Sequence, residues 1–310
     1  MEIPEEANHK RVSARRVVIT SFLVDILDVA SSLFVAVLSG SVIMVAQVLQ
    51  GAADLVSSGF LILGVSRSKR PADKNYPFGY GRELYFWTMV SALVTFSVTS
   101  SLSIYLGWQR FLHPEPIHDL FLAYLVLVVT AGTNGYSFSL SLSRMFDGQK
   151  LSRVSQVFMN SPLIETKTTL ILDLMGTVAS ILGFFSLVLY GISGDLRLDG
   201  LGAILIGITL AIFALFLLKT VKDYLIGKSA SPEIEARIRN AALSVAKVNS
   251  VLDLKTIHLS PEKFLVNLEV NLADDMDTDE IEVIVDEIKA HVQSEVRGIE
   301  HIQVELETPG

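Results

Sequence analysis

Four aspartates lie inside long apolar stretches of this sequence, where charged side chains are rare: Asp25, Asp28, Asp54 and Asp173. A carboxylate within a membrane-spanning segment is costly and by default marks an ion or proton path. For Asp54 and Asp173, each near the middle of its stretch, a functional role is the favoured interpretation. For Asp25 and Asp28, which share a helix face at a spacing of three, packing or proton relay is an equally good interpretation.

Helical spacing places neutral oxygen ligands beside these acids. Residues at i, i+3, i+4, i+7 and i+8 share one face of a helix. Two faces carry such sets: Gln47, Gln50 and Asp54 on one helix, and Glu165, Thr169 and Asp173 on another. Carboxylate, amide and hydroxyl oxygens are hard ligands that suit manganese or magnesium better than zinc. The pattern predicts one cation site between the two helices, with interhelical hydrogen bonding as the alternative for the amides.

Six apolar stretches, each of about 20 residues, are long enough to carry these side chains across a membrane. Hydrophobic residues make up 50% of the 310 positions and the mean hydropathy is +0.48, which is too apolar for an ordinary soluble domain. The stretches lie near residues 17–39, 41–66, 84–110, 117–142, 164–191 and 199–220. We therefore predict an α-helical membrane protein with a six-helix transmembrane domain at residues 17–220.

Basic residues predict how this domain sits in the bilayer. They fall before the first stretch, in the second and fourth loops and after the sixth stretch: Lys10, Arg11, Arg15, Arg16, Arg67, Lys69, Arg70, Lys74, Arg82, Arg144, Lys150, Arg153, Lys219, Lys222 and Lys228. Loops rich in Lys and Arg stay on the cytoplasmic side. Both termini, including residues 1–16, are therefore predicted to be cytoplasmic. The membrane that holds the protein is predicted to be the plasma (inner) membrane.

Residues 221–310 are more charged and are predicted to form a small cytoplasmic α+β domain. Ser231 followed by Pro232 is typical of a helix start, and the helical period runs to about Val248. A second helix opens at Asp277, with acids in its first turn. Strand-like alternation covers three ranges: Leu252–His258, Phe264–Leu272 and Ile302–Leu306. The order α-β-β-α-β predicts a ferredoxin-like domain, and its acidic charge argues against nucleic acid as a partner.

Several other kinds of site are disfavoured by composition. The chain has no cysteine, which excludes disulfides and thiolate metal sites. None of its six histidines falls within a predicted helix core, so we expect solvated surface residues rather than metal ligands. Neither a nucleophile, nor a phosphate loop, nor a catalytic pairing is found, and we predict neither an enzyme nor a prosthetic group.

Three features resemble the cation diffusion facilitator family, and the resemblance covers nearly the whole chain. They are Ser39-Gly40-Ser41 before a helix with Gln50-x-x-x-Asp54, the loop Pro71-Ala72-Asp73 through Tyr76-Pro77-Phe78-Gly79-Tyr80-Gly81-Arg82, and Thr169-x-x-x-Asp173 before the α-β-β-α-β tail. The resemblance implies a membrane transporter that exports a divalent cation, such as manganese, iron or zinc, in exchange for protons. It also implies a homodimer held through the C-terminal domain.

The family's transport site carries a His or Asp plus an Asp on each of the second and fifth helices. The matching positions are Gln50, Asp54, Thr169 and Asp173. Only the two aspartates agree, which leaves two interpretations. In the first, the neutral oxygens of Gln50 and Thr169 complete an altered site and Asp25 or Asp28 restores the missing charge. In the second, the chain is a non-transporting structural or regulatory homologue. The first is favoured, because such a homologue gains nothing from two costly membrane aspartates.

The family's other metal positions are substituted as well. Its loop site resembles an Asp with two His, and the residues here are Asp73, Tyr76 and Tyr80. Tyrosine is a poor ligand for these metals, so this site is expected to be empty. In the C-terminal domain, Asn267, Glu282 and Glu305 fall near the positions of metal-binding histidines. That domain is therefore expected to serve dimerisation without sensing metal.

Overall fold

A computed structural model describes residues 14–145 and 164–308, and its side chains are described at residues 25–143, at 164 and at 166–308. Six long helices occupy the first 226 residues: α1 Ala14–Ser39, α2 Val42–Ser68, α3 Glu83–Leu112, α4 Leu120–Met145, α5 Ile164–Ser193 and α6 Arg197–Ile226. The first part of the predicted N-terminal segment and the predicted basic residues Lys150 and Arg153 lie outside the described residues, as does the side chain of Glu165.

The six predicted helices are present, and the predicted membrane-spanning character is confirmed for five of them. Within the described residues, α2 to α6 are each long and apolar enough to cross a membrane, and α1 has 26 residues. The sixth helix ends at Ile226 rather than near residue 220. It continues because Val221 and Tyr224, three apart on one face, are both buried and keep that face packed after the apolar stretch has ended.

One helix departs from α geometry near its middle. In α3, residues Thr95–Ser100 form a π-helical turn, in which Thr95, Thr99 and Ser100 are buried. Such turns are rare and mostly occur as single turns inside α-helices. The α-helix resumes at Ser101 and ends at Leu112.

The described chain divides into two compact units. Of the described residues, the first unit takes 14–59, 91–139 and 171–215, and the second takes 60–90, 140–145, 164–170 and 216–308. Helices α2 to α6 each contribute residues to both. The core of the first unit is formed by apolar side chains of five helices, among them Val35, Ile43, Leu127, Met175 and Leu210.

The C-terminal domain has the predicted α-β-β-α-β order: α7 Pro232–Leu243, β1 Val248–Ser260, β2 Lys263–Leu272, α8 Thr278–Glu295 and β3 Ile299–Leu306. The sheet order is β1-β2-β3, with β1 antiparallel to β2 and β2 parallel to β3. Its core joins both helices to the sheet through side chains such as Ile238, Val266, Leu268, Ile288 and Val292.

Local signals at the two helix starts are confirmed. The Ser231 side chain accepts from Ile234 N with Pro232 in the first turn, and Asp277 forms a capping box with Glu280. The prediction that α7 runs to Val248 is wrong, since the helix ends at Leu243. Lys247 has a φ of 69°, a left-handed conformation that a helix cannot continue through.

Candidate cation site

Asp54 lies near the middle of the 27-residue α2 and is half-buried. Gln50 Nε2, one turn earlier, donates to Asp54 Oδ2. The other carboxylate oxygen, Oδ1, is buried without a hydrogen-bond partner among the described residues. An unpaired buried carboxylate oxygen is costly, so this atom is available to a ligand.

A small polar cavity opens beside Asp54. Its volume is about 10 Å³, and its lining comes from α1, α2 and α4: Asp25, Asp28, Ser32, Gln47, Gln50, Gly51, Asp54, Thr130 and Asn134. Gly51 is required for this arrangement, because a Cβ there would lie 2.7 Å from Cγ2 of Val29 in α1. The glycine lets α1 approach α2 and brings three of the predicted acids to one cavity.

Negative charge is concentrated around Asp54. The carboxylates of Asp25, Asp173 and Asp28 all lie close enough to act on it electrostatically. Thr133 Oγ1 of α4 donates to Asp28 Oδ2 at 3.0 Å, which fixes one of these acids. Like charges that repel one another in a medium of low dielectric constant attract cations strongly.

The two predicted ligands on α5, Thr169 and Asp173, are placed differently from those on α2. Asp173 is half-buried, and its main-chain carbonyl accepts from Thr177 Oγ1 at 2.8 Å. Thr169 is exposed and belongs to the second compact unit. In the part of the chain that the structure describes, neither lines the cavity, and no three His, Asp or Glu side chains are arranged to hold a metal ion. A site shared by α2 and α5 stays a prediction.

Two further residues of the cavity wall have polar atoms to offer. Ser180 Oγ of α5 donates to Gln47 Oε1 at 3.1 Å, while Gln47 Nε2 has no partner among the described residues. Thr130 Oγ1 is likewise buried and unpartnered. The sequence contains only a weak signal for Thr130, since a threonine inside an apolar stretch is common in membrane helices.

A buried ion pair, which sequence reasoning missed, joins the ends of α2, α3 and α6. Asp199 is fully buried and accepts from Arg110 Nε at 2.9 Å, from Ser41 Oγ at 2.7 Å and from two backbone amides at the start of α2. Arg110 also donates to the carbonyl of Gly40. The only signal was a charged residue near the end of each of two apolar stretches, and the prediction of orientation from basic loop residues used neither of them. This cluster fixes the first turn of the helix that carries Asp54.

The substituted family positions in the loop and in the C-terminal domain lie outside the cavity. Tyr80 donates to Asp73 Oδ2 at 2.7 Å, and this bond, with the backbone amide of Tyr76, lowers the pKa of Asp73. In the C-terminal domain, Asn267 donates to Glu305 at 3.4 Å. The carboxylate of Asp73 thus accepts a hydrogen bond from the hydroxyl of Tyr80. The resembled family has a metal-binding histidine at the position of Tyr80.

The expectation that the histidines are solvated is wrong for His258, which is 5% exposed. Its ring lies 5.5 Å from that of Tyr224 and 5.9 Å from that of Phe264. The His258 side chain points inward from β1, and the alternation of inward and outward side chains along a strand is the signal that would have predicted its burial.

Comparisons with known proteins agree with this architecture. A family model described as the cation efflux transmembrane domain matches residues 18–226, and one described as the cation efflux protein cytoplasmic domain matches residues 230–309. The chain is 26% identical over 258 residues to the mitochondrial proton-coupled zinc antiporter SLC30A9 of Xenopus laevis, covering 83% of this chain and 46% of that protein.

Two further similarities are more limited. Metal tolerance protein C4 of Arabidopsis thaliana is 23% identical over 235 residues, which cover 75% of this chain and 51% of that protein. A nickel form of the MamM CTD is 21% identical, covers 26% of this chain and all of its own, and has a TM-score of 0.25. The chain spans about half the length of the curated relatives it matches.

Proposed function

The chain belongs to the cation efflux, or cation diffusion facilitator, family, and from this premise we propose that it is a divalent metal cation transporter. It exports the cation from the cytoplasm in exchange for protons. The observation that carries the proposal is Asp54, which lines a polar cavity. Its Oδ1 has no hydrogen-bond partner among the described residues, and three other carboxylates lie close enough to act on it electrostatically. The name of the similar zinc antiporter supports the exchange for protons.

The proposed ligands are the oxygens of Asp54 and Asp173, assisted by Gln50 and Thr169. The carboxylates of Asp25 and Asp28 supply the charge that Gln50 and Thr169 lack. An oxygen-only set suits manganese or a similar hard cation better than zinc, which prefers nitrogen and sulfur ligands.

Carboxylates bind cations only when they are deprotonated. Protonation of these aspartates from the outer side therefore releases the cation, and its departure leaves them free to carry protons inward. The C-terminal domain, residues 221–310 in our division, holds two protomers together. Both termini lie in the cytoplasm and the protein resides in the plasma (inner) membrane. This location is our inference, although the similar zinc antiporter is described as mitochondrial.

The test is cation-driven proton flux in proteoliposomes, followed with a lumenal pH dye. Manganese, zinc, iron, cobalt and magnesium are compared for the parent chain, for Asp54→Asn and for Asp173→Asn. We expect flux for at least one metal in the parent and its loss in both variants. No flux from well-folded parent protein would favour the alternative, a non-transporting structural or regulatory homologue.

A further inference from the structure

Three residues that line the cavity beside Asp54 each carry a buried polar atom without a hydrogen-bond partner among the described residues: Asp54 Oδ1, Gln47 Nε2 and Thr130 Oγ1. Gln47 is 2% exposed and Thr130 is 4% exposed, so neither is satisfied by bulk solvent. Buried polar groups are nearly always paired in native proteins. Three unpaired groups on residues that line one small cavity therefore point to a shared ligand.

The chemistry of the three atoms identifies that ligand. A carboxylate oxygen only accepts, an amide nitrogen only donates, and a hydroxyl does both. A bare cation suits the carboxylate but is opposed by the amide N–H of Gln47. A water molecule can donate to Asp54, accept from Gln47 and bond with Thr130. The cavity of about 10 Å³ is close to the space that one water requires, and buried waters make two to four hydrogen bonds.

We propose that this cavity is a water site and that its water enters the coordination shell of the cation held at Asp54. The proposal rests on the proposed transport function. Thr130 of α4 then becomes a positioning residue that selects among cations through the water it holds. Cations that keep water in an all-oxygen shell, such as Mn²⁺, gain from it. Zn²⁺, which prefers four ligands including nitrogen or sulfur, gains less.

The first test examines the water site without metal. We compare the unfolding temperature of the metal-free full chain with that of Thr130→Val and Thr168→Val. Thr168 is a matched control, because its Oγ1 is also buried without a partner among the described residues but Thr168 does not line the cavity. Replacing an unsatisfied hydroxyl with a methyl is neutral or stabilising, whereas removing one partner of a bound water is destabilising. We expect Thr130→Val to lower the unfolding temperature and Thr168→Val to leave it equal or higher. Equal or higher values for both would overturn the water site.

The second test examines its role toward the cation. The dissociation constants of Mn²⁺ and Zn²⁺ are measured by calorimetry for the parent, Thr130→Val and Thr130→Ser. We expect Thr130→Val to weaken Mn²⁺ binding about tenfold, the effect of one lost interaction, with a much smaller change for Zn²⁺. We expect Thr130→Ser, which keeps the hydroxyl, to have the parent's ratio of Mn²⁺ and Zn²⁺ dissociation constants. This result would show that the effect of Thr130→Val does not come from misfolding.

Each failure is recognisable. An unchanged ratio of the two dissociation constants, or an equal loss for both metals, overturns the role of the water in selection. Absence of metal-driven flux in the parent defeats the proposed transport function instead. In that event the unfolding temperatures still decide whether the cavity holds water.

Discussion

At the scale of single residues, Gln50 decides which chemistry Asp54 can take part in. Its Nε2 donates to Asp54 Oδ2, so one carboxylate oxygen is occupied, while the other has no partner in the described part of the chain. An imidazole at the same position would offer a nitrogen ligand rather than an amide. In the proposed cation site, the residue at position 50 would thus separate an oxygen site from one that favours zinc.

We expect Gln50→His to raise the affinity for Zn²⁺ about tenfold relative to Mn²⁺, because imidazole is a better ligand for zinc than an amide oxygen. Calorimetric titration of both metals measures the ratio. Gln50→Asn, which retains the amide, is the matched control and should leave the ratio near that of the parent. A Gln50→His protein with the parent ratio would show that residue 50 is not a ligand.

His258 is a second residue with its own chemistry, since it is buried in the C-terminal domain. Burial lowers its pKa; a weak contact with the carbonyl of Ser260 acts in the opposite direction, and the charges of Lys228 and Lys167 lower the pKa further. The folded protein therefore favours the neutral ring. The stability that this provides is present above the ordinary histidine pKa, about 6.5, and is lost as the pH falls below it.

We accordingly expect the full chain in detergent to unfold at a lower temperature as the pH is reduced from 7.5 to 5.5. His258→Phe, which keeps an aromatic ring between Tyr224 and Phe264, should remove part of this pH dependence. His291→Gln, at an exposed position, should leave the dependence as it is in the parent. The same pH profile for the parent and His258→Phe would contradict the assignment.

At the scale of elements, the Arg110–Asp199 pair joins three helices where the chain leaves and re-enters the membrane. The Asp199 carboxylate accepts hydrogen bonds from Arg110 and from the first backbone amides of α2. Close backbone contact supports the pair, because a Cβ on Gly200 of α6 would lie 2.5 Å from the backbone nitrogen of Phe111 in α3. The two helices can meet this closely only with glycine at that point.

Arg110→Met should be strongly destabilising, by about 3–5 kcal/mol, because it leaves the charge of Asp199 buried without its partner. Glu115→Gln is the matched control. Glu115 contacts the same arginine at 2.6 Å but is 74% exposed, and exposed ion pairs contribute about 1 kcal/mol or less. Thermal unfolding in detergent measures both. Equal losses for the two variants would show that the buried pair is not what holds these helix ends.

The sequence was sufficient to predict the helices and strands but not to predict which of them lie next to one another. Apolar length is a local signal, and it predicted all six long helices of the N-terminal part of the chain. Which helices face the cavity is a long-range property: spacing grouped Gln47, Gln50 and Asp54 on one face of α2, yet it could not show that α1 and α4 complete the wall. The partners Arg110 and Asp199 are 89 positions apart, so neither residue by itself indicated a buried pair.

At the scale of the whole molecule, the absence of cysteine makes the predicted topology directly measurable. Any introduced cysteine is the only thiol in the chain. The predicted arrangement puts the end of α5 outside the cell and the loop after α2 inside it, since that loop is rich in Lys and Arg.

We expect Ser193→Cys to react with a membrane-impermeant maleimide added to intact cells. Asn75→Cys, which is also exposed and serves as the matched position, should react only after permeabilisation. Labelling of Asn75→Cys in intact cells would reverse the predicted orientation.

The π-helical turn at Thr95–Ser100 has a consequence for how this gene could have changed. A π turn closes over five residues instead of four, so it takes up one extra residue while both flanking helix faces keep their direction. Deleting the exposed Ser97 should therefore give a continuous α-helix, with Arg110 still directed at Asp199 and with folding retained. Deleting Ile212, exposed in α6, should instead turn the rest of that helix by about 100°, because an α-helix has 3.6 residues per turn. Size-exclusion profiles of the two deletions would show whether α3, unlike α6, tolerates the loss of one residue, as expected if the π turn is the product of a one-residue insertion.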